Sequence, residues 1–263
     1  MLIRFRFPIL LSALALLCLD VRADDRWAPN AVAGPVNQLS VSGNACGPSA
    51  LLAALKCGDD RWRGIPEKIP GASDRAKLLF IIKAYGLRPS VSLRDRKRWT
   101  RHGVNAEDLT AMAAELAAIS GLPAPRNESL LLERRESPEK ALRRTHKRFR
   151  QSIINGFPPV ISLRRFVHRG GNWLSLDSHF VTIVQVPEKL PRHSRDFTVT
   201  YFDPWGGKKR TATLRPPVVP VLSTDGKKTG ALEFAAPEAD VGKSKVRSGE
   251  RTALVPSLAI GRW

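Results

Sequence analysis

Asn44-Ala45-Cys46-Gly47-Pro48-Ser49 places a thiol where a helix begins. A cysteine there feels the positive end of the helix dipole and the unpaired N–H groups of the first turn, both of which favour thiolate over thiol. Gly47 lets backbone approach the sulfur, and Pro48 starts the helix where a missing N–H costs nothing. A thiolate nucleophile needs a base, and His179 stands at the head of an apolar, β-branched run, HFVTIVQV. Asp203 ends the next strand, Phe197 to Phe202. Counted inward from the polar turn at 187–196, His179 and Asp203 lie eight and seven positions out. The two therefore meet at one edge of a sheet, where the carboxylate holds the distal ring nitrogen as the third member of a triad does. Each residue also has a plainer reading: a buried structural cysteine, a half-buried strand histidine, and an aspartate that starts a turn before proline.

The elements around these residues follow from caps and periodicity. Helices are expected from Cys46 to 57, from about 74 to 85 after Ser73, from about 106 to 119 after Asn105, and from Pro138 to about 155 after Ser137. Strands are expected at 159–167, 179–186, 197–202 and 208–214. Helices first and an antiparallel sheet second is an α+β order. Leu232 to Ala236 and Thr252 to Ile260 read either as sheet-closing strands or as part of a mobile tail. His146 falls on an apolar helix face and reads as core, while His102, His168 and His193 lack metal-ligand spacing. No metal or cofactor is expected.

The chain has 263 residues and a formal net charge of +19. Arg4, Arg6, the apolar run from Phe7 to Leu19 and the small residues around Ala23 form the three-part pattern of an export signal over 1–23. The run is too short to span a bilayer comfortably, so an uncleaved anchor is the lesser reading. Export would place the protein in a periplasmic or extracellular space. Its charge then suggests an anionic cell-envelope surface, and the scattered basic residues, without a recognition motif, argue against nucleic acid. Residues 24–35 read as a linker, 36–216 as the main domain, and 217–263 as a basic C-terminal extension. Cys46 and Cys57 lie at opposite ends of one expected helix, roughly 16 Å apart, which forbids a disulfide between them.

Four pieces in order, Gln38 with NACGPSALLAAL, NGFPPVISL at 155–163, SHFVTIV and TYFDPWGG, resemble the bacteriocin-leader-peptidase-like (C-39-like) group of the papain-like cysteine peptidases. The resemblance covers roughly residues 36–215. It implies a papain-like fold and a cysteine peptidase acting on a peptide or protein substrate. Cys46 would be the nucleophile, His179 the base, Asp203 its orienter and Gln38 an oxyanion donor. Three departures stand out: Gln38 is eight residues before the cysteine, Ser178 replaces the usual glycine, and a helical insertion separates Cys46 from His179. Two rivals keep the same scaffold: a catalytically silent binding module, and an acyl-transfer or peptidoglycan-amidase variant.

Overall fold

The computed structural model describes residues 25–221, 223–224, 227–228 and 230–263, leaving the expected export signal over 1–23 outside the described residues. Five α-helices run Cys46–Cys57 (α1), Asp60–Lys68 (α2), Asp74–Ile81 (α3), Ala106–Ala118 (α4) and Pro138–Ile154 (α5). One eight-stranded antiparallel sheet contains Asp25–Trp27 (β1), Arg126–Ser129 (β2), Val160–Arg169 (β3), Asn172–Pro187 (β4), Phe197–Asp203 (β5), Lys208–Arg215 (β6), Glu233–Ala235 (β7) and Thr252–Gly261 (β8). Its order is β7-β6-β5-β4-β3-β8-β2, with β1 paired to β4. The α+β expectation holds.

The expected caps form. Ser73, Asn105 and Ser137 each accept a hydrogen bond from the backbone N–H three residues on, at 3.2, 2.7 and 3.3 Å. The helix after Ser73 changes at Ile82 into a five-residue π-turn that ends at Gly86. Helix α2 escaped the periodicity reading because Gly64 and Pro66 interrupt its pattern. Asp59 nevertheless caps it through Arg61 and Trp62, and Trp62 is buried against Phe157.

Three sequence-based boundaries need correction. Asp25–Trp27 is a strand on β4, with Ala28 buried beside Val184, so residues 24–35 are not a bare linker. The C-terminal residues form sheet-closing strands, one of the two readings the sequence left open, and β8 lies inside the sheet between β3 and β2. A boundary at 216 would cut through that sheet. Finally, β4 begins at Asn172, not at His179. The Gly170-Gly171 turn has both φ values positive, which folds β3 back into a hairpin and pairs 172–178 with its far half.

The sheet is covered on both faces. Helix α1 packs on the face bearing Phe180 and Thr182, and the Thr182 hydroxyl donates to the Ala50 carbonyl at 2.7 Å. Helix α5 packs on the face bearing Val181 and Ile183, through Leu142 and Phe149. Adjacent residues of β4 thus serve opposite cores, the period-two rule of a strand. No helix among the described residues is long and apolar enough to cross a membrane.

Candidate functional site

Cys46 is the first residue of α1 and is half-buried. The turn before it is held from both sides. Asn44 donates through its side chain to the Thr100 carbonyl at 3.1 Å, and its own carbonyl accepts from the Trp99 indole at 3.2 Å. Trp99–Thr100 and Gly103–Val104 form a short hairpin. Gly47 is required where that hairpin packs, since a Cβ there would sit 2.4 Å from Val104 Cγ1.

His179 and Asp203 come together through the register of β4 and β5. The last pair between these strands is Thr182–Phe202. One step further places Asp203 opposite Val181, on the same face as His179 and two residues from it. That is the diagonal neighbour relation of an antiparallel pair. His179 Nε2 lies 2.8 Å from Asp203 Oδ1. The bond to the carboxylate leaves Nδ1 for the thiol. Beyond the last β4–β5 pair, the Phe180 N–H donates to the Cys46 sulfur, as does the Gly47 N–H.

The electrostatics follow from these contacts. Burial pushes the Cys46 thiol up, but the His179 ring and the two amides outweigh it, and the net shift is downward. Burial disfavours imidazolium at His179, yet its bonds to Asp203 and Cys46 raise it to about 9. Burial likewise opposes ionisation of Asp203, and the His179 bond and charge, the Trp205 N–H and Arg210 hold it below its ordinary range. Thiolate at Cys46, imidazolium at His179 and carboxylate at Asp203 are thus each favoured by their neighbours. Cys57, enclosed at the other end of α1, is pushed up to about 12. Both cysteines are free thiols.

Arg210 is the residue that sequence reasoning missed. It lies across from Tyr201 and is 8% exposed, with Nε 3.1 Å from Asp203 Oδ2. Its other nitrogens face Glu238 at 3.1 Å and Asp240 at 3.5 Å. A signal existed: Arg210, Ala212 and Leu214 alternate on the inward face of β6, which makes the arginine a buried charge needing a partner.

Gln38 is fully buried between the two key turns. Its backbone N–H donates to the Pro204 carbonyl at 3.0 Å, and its side-chain Nε2 donates to the Gly43 carbonyl at 2.5 Å. One of its two amide hydrogens is thereby spent, and the second is left for another acceptor. Its Oε1 has no hydrogen-bond partner among the described residues. Trp205 is half-exposed beside Gly43, with its N–H on Asp203 Oδ1 at 2.9 Å. Trp173, by contrast, packs on His168 and donates to the Pro220 carbonyl. Asp177 is paired with Lys245 at 2.9 Å. His146 is buried with Phe197, as its helix face suggested, and meets the Pro187 carbonyl. No group of three or more His, Cys, Asp or Glu suited to a metal gathers among the described residues.

Comparison with family models, with curated proteins and with solved structures returns no match.

Proposed function

We propose that the chain is a papain-like thiol hydrolase that cleaves peptide or amide bonds. The observation that carries this reading is a thiol lowered in pKa at the start of α1, facing an imidazole whose Nε2 is 2.8 Å from a buried carboxylate. Thiolate, base and orienter are the parts that covalent acyl transfer needs. The order and motifs of the resembling peptidase group agree with this assignment.

In this reading the Cys46 sulfur attacks the substrate carbonyl carbon. The Cys46 N–H and the second Nε2 hydrogen of Gln38 hold the oxyanion. Protonated His179 gives its proton to the departing amine, leaving a thioester on Cys46. A water, deprotonated by His179, then attacks the thioester and releases the acid, and the proton returns the ring to imidazolium. Asp203 keeps the ring oriented and stabilises its charge throughout. Function outside the cytoplasm, on a peptide or protein substrate near an anionic envelope, is part of the same proposal. It rests on residues 1–23 and on the net charge of the residues after them, +17 from 40 basic and 23 acidic side chains.

The lowered thiol pKa speaks against a silent module, which has no use for it. The test is a peptide bearing a thiol-reactive carbonyl, followed by mass mapping of the adduct. The expected adduct is on Cys46 alone and is lost in His179→Ala. No adduct, or equal labelling of Cys57, would overturn the assignment.

A further inference from the structure

A cleft of about 490 Å³ opens beside the candidate nucleophile. Phe180 lines it and also gives its N–H to the Cys46 sulfur. Val104, the residue that would meet a methyl on Gly47, forms part of the opposite wall. The floor is the sheet face carrying Ser162, Arg164 and Ser178, and Arg164 pairs across from Ser178, one register step from the Leu163–His179 pair. The cleft thus runs directly away from the site along β3 and β4.

Its charge is lopsided. Arg96, Lys97, Arg98 and Arg164 line it against a single carboxylate, Glu107. Arg98 is already satisfied by both oxygens of Glu115, at 3.0 and 2.9 Å. Arg96, Lys97 and Arg164 are exposed and make no ion pair among the described residues. Elsewhere on the surface, arginines such as Arg144, Arg169 and Arg215 are neutralised by nearby glutamates. Three unneutralised cations around one cleft repel each other, and a cleft focuses their field on whatever enters it. An anionic ligand relieves that repulsion, and guanidinium pairs well with carboxylate.

Resting on the hydrolase reading, we propose that this cleft receives acidic side chains of a peptide substrate, with Arg164, Arg96 and Lys97 supplying the counter-charge. The ligand is extended, because the cleft lies along strands, and its carboxylates fall to one side of the scissile bond. Ser162 and Ser178 offer hydroxyls on the same floor.

Two synthetic peptide libraries of matched length test this, one with Glu and one with Gln at every second position. Cleavage by the native chain is read by mass spectrometry. Binding to Cys46→Ala protein is read by fluorescence anisotropy, independently of any chemistry. The Glu library is expected to win by about tenfold in both measurements, the scale of a few partly exposed charge pairs. The ratio falls toward one in Arg96→Gln/Lys97→Gln/Arg164→Gln, and survives in Lys147→Gln/Lys189→Gln/Arg192→Gln, which removes equal charge from the α5 side. Equal cleavage and binding of both libraries overturns this inference and leaves the hydrolase reading standing. Glu-selective binding without cleavage by the native chain keeps the basic cleft for acidic side chains and overturns hydrolysis. Neither binding nor cleavage overturns both, and a ratio unchanged in the cleft variant overturns the assignment of these residues.

Discussion

At the scale of single residues, the two thiols form an internal comparison on one helix. Cys46 is lowered by His179 and two amides, while Cys57 is enclosed and pushed up to about 12. Iodoacetamide at pH 7 is expected to modify Cys46 at least tenfold faster than Cys57 in the folded protein, as thiolate fraction and access dictate. Similar rates in a mass-mapped time course would contradict the geometry. The pH profile has a definite sign. In the proposed hydrolase the reactive pair is thiolate with imidazolium, so activity is expected to fall on the acid side as Cys46 protonates, below the usual thiol range. It falls on the alkaline side as His179 loses its proton at about 9. In Asp203→Asn the ring loses a partner that raises its pKa, so the alkaline limb moves down toward the ordinary histidine value. His179→Ala should cost roughly 10²–10⁴ in kcat/KM and Asp203→Asn less, since an amide still orients the ring. An unmoved alkaline limb in Asp203→Asn would leave Asp203 as a turn former only.

At the scale of elements, the site depends on a close approach between the start of α1 and the 99–104 hairpin. Gly47→Ala sets two effects against each other. Alanine is the better helix former by up to about 1 kcal/mol. A Cβ at 2.4 Å from Val104 Cγ1, with Leu109 and Phe180 also within 3.4 Å, forces repacking that costs typically about 1–3 kcal/mol. The clash should win, lowering Tm, and Val104→Ala should recover part of the loss. A stabilised Gly47→Ala would show that the hairpin yields freely. The elements themselves were unevenly legible in the sequence. Ser73, Asn105 and Ser137 announced their helices through local chemistry, and the turn at 187–196 was enough to bring His179 near Asp203. Helix α2 was hidden by Gly64 and Pro66, whose low propensity is overridden by the buried Trp62 and Ile65. The early half of β4, NWLSLDS, is polar enough to read as loop and is a strand because β3 supplies its pairing. Arg210 could not be tied to Asp203 without the β5–β6 register and the distant Glu238 and Asp240. The His179–Asp203 pair was local to a hairpin, and what supports it was not.

At the scale of the whole molecule, the C-terminal strand decides whether residues beyond 216 are an appendage. β8 pairs along one edge with β3 from Thr252 to Ile260 and along the other with β2. It delivers Leu254, Val255, Ala259 and Ile260 to three different hydrophobic clusters. The three larger of these are worth about 1.5–3 kcal/mol each when fully buried. Their sum is comparable to the entire net stability of a typical domain, about 5–15 kcal/mol. Removing β8 also exposes an unpaired edge on β3, the strand that holds β4 and hence His179. A chain ending at residue 251 is therefore expected to show no cooperative thermal transition and to be degraded rapidly by protease, with Cys46 no more reactive than Cys57. A flexible-tail reading demands the opposite: an unchanged Tm and a selectively labelled Cys46. Loss of the transition together with loss of thiol selectivity would tie the chemistry of the first helix to the last strand of the chain, through β3 and β4.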